Sequence, residues 1–254
     1  MLIDSEDVES QFTENLQKLM EYVTGRFRHF PLIFIDKKEY EEKWGIPFMS
    51  GGCACSFIFE GKLFVVLKEL DSILMQEASI AHELGHFWLE SHGFPRRPQG
   101  LFKTKDEEER YNICFYRLHE IMEHSIFYPW LKDNYSFDLY SIGNERLVNF
   151  LKNEISSLCD EYSTNKPEGR KVQLILYYLK FKVEADKRYW QDRLGKAYSK
   201  GMLVEMRDTA QQVLPIIRSL SNQELDSKCF KEKYREVLRI MGIDKQFWPE
   251  YMKL

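Results

Sequence analysis

Apolar residues recur at helical spacing near the start of the chain, at Val8, Phe12, Leu16, Leu19, Met20 and Val23, and predict a helix over about Glu6 to Phe27. The run "PLIFID", Pro31 to Asp36, reads as a short strand. In "CSFIFEGKLFVVLKE", Cys55 to Glu69, two β-rich runs flank Glu60 and Gly61. That is a hairpin pattern, because glycine supplies the positive φ a tight turn requires. A helix is expected from about Ser72 to His92, with Gly93 at its C-cap and Pro95 and Pro98 beyond it. Another runs from about Asp106 to Tyr128, with acidic residues in its first turn and Pro129 just past its end.

Beyond Asn144 the pattern is almost entirely helical, over roughly 144–162, 171–196, 202–220 and 224–241. "STNKPEGRK", Ser163 to Lys171, reads as a loop, and Ser221 to Glu224 has capping-box spacing. Pro215 should kink the helix that holds it. Strands come first and helices follow, which argues for an α+β protein. Two regions are expected, residues 1–135 and a helical C-terminal region, 136–254, packed on the first or separate from it.

Composition narrows the function classes. A formal net charge of -4 over 254 residues gives no case for a nucleic-acid partner. The basic, aromatic run from Val172 to Leu194 is better read as an amphipathic packing helix. No apolar stretch approaches the ~20 residues that span a bilayer. The acidic start, "MLIDSEDVES", lacks the basic and apolar stretches of a signal peptide, so a cytoplasmic location is expected. The five cysteines are odd in number and irregularly spaced, as expected of reduced thiols. Cys53 and Cys55 have no second pair to close a tetrahedral metal site.

The chemistry concentrates in "AHELGHFWLESHGFPRR", Ala81 to Arg97. His82, Glu83 and His86 form H-E-x-x-H, in which two imidazoles one helical turn apart bind a metal. On a helix, Ile80, Leu84, Phe87, Trp88 and Ser91 share one side. His82 and His86 fall within about 40° of each other on the opposite side. Five of the six histidines lie between His82 and His124, which disfavours an accidental pattern. Zinc held by three protein ligands keeps an open position and lowers the pKa of its water to about 7. Glu83 is then the general base, and the hairpin edge could align an extended peptide by β-addition.

Several residues could complete the site. His92 occupies the last position of the metzincin pattern H-E-x-x-H-x-x-G-x-x-H, but Leu89 stands where that pattern needs glycine. On a continuous helix His92 would lie about 9 Å along the axis from His86. The helix after it offers Glu120, Glu123 and His124 on one face, with Tyr111, Cys114, Leu118, Ile121, Met122 and Ser125 forming its apolar stripe. Glu120 as ligand would make a gluzincin-type set with Glu123 orienting an imidazole. His124 as ligand would make an all-imidazole set with Glu120 in support. Glu123 and His119 remain further candidates.

The stretch "IAHELGHFWL", Ile80 to Leu89, after a hairpin and before a second helix with ligand candidates, resembles the ImmA/IrrE family of zinc-dependent peptidases over roughly residues 30–130. The resemblance implies a zincin-like N-terminal half: a small antiparallel hairpin or sheet and an H-E-x-x-H helix, followed here by the all-helical C-terminal half. It implies that His82 and His86 are ligands and Glu83 the base. The family's third ligand is a Glu in a stretch resembling E-x-x-x-N-x-F-A; Glu108 or Glu109, with Asn112 and Phe115, is a distorted version of it. The expected function is a zinc-dependent metallopeptidase acting on a protein or peptide, possible roles including cleavage of a regulatory protein. The alternatives are a non-catalytic interaction protein with a structural metal and a zinc hydrolase of a non-peptide amide.

Overall fold

The structure is a computed structural model that describes residues 12–45, 54–68, 72–95, 105–142, 168–184, 204–222 and 226–249, with positions 149, 153, 154 and 157. Among them the protein is a mostly helical α+β fold of seven α-helices and three strands. In chain order these are α1 (Glu14–Arg26), β1 (Leu32–Asp36), α2 (Lys37–Trp44), β2 (Ala54–Phe59), β3 (Lys62–Leu67), α3 (Ile73–Ser91), α4 (Lys105–Tyr135), α5 (Glu168–Glu184), α6 (Val204–Ser219) and α7 (Ser227–Ile240). The start of the first expected helix, most of the one over 144–162, the end of the one over 171–196 and residues 163–167 of the expected loop lie outside the described residues, while Glu168–Lys171, expected as loop, form the first turn of α5. None of the described helices is long and apolar enough to cross a membrane.

The chain divides into two compact units, Met1–Ser91 with Tyr128–Ile142, and His92–Phe127 with Gly143–Leu254. In the first, the sheet order is β1-β3-β2. The hairpin β2–β3 is antiparallel, with Ser56 opposite Val65 and Phe57 opposite Phe64. Glu60 and Gly61 both take positive φ, 47° and 71°, as a type I′ turn requires. β1 joins β3 in parallel, with Ile33 opposite Phe64 and Ile35 opposite Val66, so the sheet is mixed where an antiparallel one was expected. The difference arises because α2 intervenes between β1 and β2. β3 takes the centre because "LFVV", Leu63 to Val66, is apolar on both faces and all four residues are buried.

Side-chain alternation gives the two faces different covers. On one, Ile33, Ile35, Cys55, Phe57, Phe64 and Val66 pack with Tyr40 and Trp44 of α2. The rings of Phe57 and Phe64 stack at 5.0 Å. The apolar pattern did not reveal α2, since none of its residues is fully buried. Its start is set locally: the Asp36 side chain caps it by accepting from the Glu39 amide at 2.9 Å. The other face, which includes Ser56 and Val65, meets α3. α1 packs on α3 as well, and a buried carboxylate fixes the contact. Glu77 accepts from the Thr13 amide at 2.6 Å and from the Thr13 hydroxyl at 3.1 Å.

α4 corrects the expectation that Pro129 ends its helix, because it continues through Pro129 to Tyr135. A proline inside a helix costs about 3 kcal/mol. Two residues beyond it offset that cost. Leu131 is fully buried, worth on the order of 1.5–3 kcal/mol, and Trp130 stacks on Trp88 at 3.9 Å, worth a further ~0.5–1.5 kcal/mol. α6 likewise contains Pro215. α3 ends at Ser91 and Gly93 takes φ 78°, the left-handed conformation expected just past it.

In the second unit, α4 to α7 bury Phe115, Leu118, Ile121, Leu174, Leu179, Val213, Ile217, Phe230 and Tyr234. Tyr234 donates its hydroxyl hydrogen to the Phe115 carbonyl at 3.0 Å. α7 is capped by Asp226, which accepts from the Lys228 amide at 2.8 Å, and not by the expected box at Ser221. Ser221 closes a short 3₁₀ turn over Leu220–Asn222, and its hydroxyl donates to the Arg218 carbonyl.

Glu60 carries a side chain in a conformation that costs an ordinary residue on the order of 1 kcal/mol, and asparagine tolerates it better. Glu60→Asn should therefore raise stability by roughly 0.5–1 kcal/mol, read as a higher urea midpoint; a lower midpoint would contradict the type I′ turn.

Candidate metal centre

α3 places the H-E-x-x-H motif in regular helix, and the two imidazoles converge through the same ring atom. His82 Nε2 and His86 Nε2 stand 3.2 Å apart, with the rings at 76° to each other. Two nitrogens at 2.0–2.1 Å from a tetrahedral ion would be separated by about 3.3 Å. The pair therefore has the spacing a shared ion requires.

The far nitrogen of His82 has its own partner. Tyr128 Oη lies 3.3 Å from His82 Nδ1, and the rings meet edge-on. A phenol oxygen accepting from Nδ1–H puts the lone pair on Nε2, which is the ligating tautomer. Glu83 is buried, and Ser56 Oγ donates to its Oε2 at 2.6 Å. The hairpin register explains that bond. Ser56 shares a face with Val65, the face turned to α3, whereas a shift of one residue would present Cys55 or Phe57.

His124 stands on α4 one turn before Tyr128 and is 1% exposed. Its Nδ1 lies 2.9 Å from Glu184 Oε1 of α5. A carboxylate accepting from Nδ1–H makes Nε2 the metal-binding nitrogen here too. His82 and His86 are the candidate metal pair of the first unit, and His124 is a buried imidazole of the second. Imidazoles are donors suited to a divalent ion of the zinc class.

The other candidates are placed differently. Glu120 Oε1 is 3.2 Å from Lys180 Nζ and 4.0 Å from His124 Nε2. Glu123 and His119 are buried, with Glu123 Oε1 3.1 Å from His119 Nε2. The His119 ring packs against Phe230 and Tyr234. His92 follows the last residue of α3, which ends at Ser91. Glu108 and Glu109 belong to α4, but their side chains lie outside the described residues.

Ser56, Tyr128, Lys180 and Glu184 were not identified as site residues from sequence. Tyr128 carried a usable signal, since it sits four residues after His124 on the same helix. Lys180 and Glu184 carried another: an i, i+4 charge pair inside the largely apolar run from Val172 to Ala185. Burial pulls the Lys180 ammonium down, but the carboxylates of Glu120 and Glu184 outweigh it and hold its pKa above the ordinary lysine range. The chain matches no family model, no curated protein and no solved structure.

His82→Ala and His86→Ala should each lose stoichiometric divalent metal in elemental analysis, because two imidazoles seldom retain the ion, whereas His92→Ala should keep it. Full metal content in both motif variants would contradict the site.

Proposed function

We propose that the protein is a zinc metallopeptidase with a zincin-like catalytic region, using His82, His86 and His124 as ligands and Glu83 as general base. The observation that carries this reading is the convergence of the His82 and His86 Nε2 atoms at 3.2 Å, with the buried Glu83 on the same helix. A site that only stabilised the fold would have no use for that carboxylate. The resemblance of "IAHELGHFWL" to the ImmA/IrrE peptidases points the same way.

Bound zinc would supply a water of pKa near 7 and polarise the scissile carbonyl. The residues divide the remaining work. Ser56 holds Glu83 through Oε2, which orients the carboxylate so that its other oxygen can take the proton of the attacking water. Glu83 then returns that proton to the leaving amine as the C–N bond breaks. Tyr128 and Glu184 keep the His82 and His124 imidazoles in the ligating tautomer. β2 pairs only with β3 among the described residues, so its other edge can take an extended substrate strand. With a formal net charge of -4 giving no case for a nucleic acid, we assign the substrate to proteins or peptides.

Glu83→Gln should keep its zinc and lose hydrolysis of unfolded casein by about 10²- to 10⁴-fold, because an amide fills the space but accepts no proton. Equal turnover by wild type and this variant would remove the enzymatic reading. Ser56→Ala should keep zinc and lower kcat more than it raises KM, with Ser56→Thr restoring much of the loss.

His124→Ala should release zinc to a competing chelator far more readily than Glu120→Ala. Removing a residue that supports a ligand costs only about 10- to 100-fold. The reverse order would make Glu120 the third ligand.

A further inference from the structure

We propose that Glu184, in the C-terminal helical region, is a positioning residue for the metal centre. On this proposal it fixes the tautomer of His124 and is itself held in place by Lys180. This rests on the zinc reading above, to which it adds a role for a segment far from the motif in sequence.

Glu184 and His124 are separated by 60 residues and are both nearly inaccessible, with side chains 4% and 1% exposed. A buried carboxylate is costly unless its oxygens are paired. Here Oε1 meets His124 Nδ1 at 2.9 Å, and Lys180 Nζ approaches Oε1 at 3.1 Å and Oε2 at 2.9 Å. The same ammonium lies 3.2 Å from Glu120 Oε1. Two carboxylates and one ammonium leave one net negative charge.

Glu120 lies 4.0 Å from His124 Nε2, whereas Glu184 lies against the Nδ1 side of the ring. A carboxylate in that position accepts the Nδ1 hydrogen, turns the Nε2 lone pair outward and makes it a stronger donor to a cation. Lys180 makes the arrangement durable in two ways. It lowers the cost of burying Glu184, and it restrains Glu120, whose carboxylate would otherwise compete for the imidazole 4.0 Å away. α5 is therefore part of the metal centre's working structure.

Two measurements on the 254-residue chain test this. The first is nitrogen-15 NMR of the histidine ring in metal-free protein at pH 8, which should show His124 carrying its hydrogen on Nδ1. The second is zinc affinity by chelator competition. Glu184→Ala should bind zinc about 10- to 100-fold more weakly than wild type. Glu184→Gln, which keeps an acceptor oxygen and the side-chain volume, should retain the Nδ1–H tautomer with a smaller loss of affinity.

An Nε2–H tautomer in the metal-free native protein would overturn the proposal. So would native zinc affinity in Glu184→Gln, even if Glu184→Ala failed to fold. Failure of the underlying zinc reading would look different. His82→Ala and His86→Ala would then leave zinc binding unchanged, whatever tautomer His124 adopts.

Discussion

The segment Ile121–Tyr128 of α4 is buried at every residue, so each of its polar side chains has to find a partner inside the protein. An unpaired buried polar group costs on the order of 1–3 kcal/mol, and a charged one more. Net stabilities of domains are only about 5–15 kcal/mol, so few such groups can be left unsatisfied. The neighbours of this segment follow from that requirement. His124 meets Glu184, Ser125 donates to the carbonyls of Met122 and Ile217, and Tyr128 meets His82. Glu123 lies against His119, itself packed against the rings of Phe230 and Tyr234.

α3 meets the same constraint with a different division of labour. It buries two carboxylates, Glu77 and Glu83, six residues apart. Glu77 accepts from both the amide and the hydroxyl of Thr13, and so ties the start of α1 to α3. Two donors on one residue make it a structural anchor. Glu83 is held by the hydroxyl of Ser56, on a strand whose outer edge is open among the described residues. A single hydroxyl restrains a carboxylate while leaving it able to exchange a proton. In the proposed mechanism this is the property a general base needs.

Charge is arranged with equal economy around α5. Lys180 sits in a largely apolar helix, and its ammonium stays favoured only because Glu120 and Glu184 surround it. The pairing also assigns the two carboxylates to separate positions, Glu184 against His124 and Glu120 against Lys180. Local spacing could not decide that assignment. Glu120 and His124 are one helical turn apart on α4, and both are ordinary zinc donors.

The sequence alone determined what depends on neighbours a few residues apart. Period-3.6 stripes marked most of the helices, and alternation with Glu60-Gly61 marked the hairpin. The H-E-x-x-H spacing put two imidazoles on one side of α3, and the Gly93 cap separated His92 from them. These are local steric and periodic effects, so they survive in one dimension. Long-range packing decided the rest. It gave β3 the centre of a mixed sheet, because only the assembled unit covers both of its faces. It carried α4 through Pro129, since the contacts of Trp130 and Leu131 outweigh a local penalty. It also brought Ser56 to Glu83 and Glu184 to His124, across 27 and 60 residues. The energy that selects such pairs is the desolvation of groups buried from different parts of the chain, and no local pattern records it.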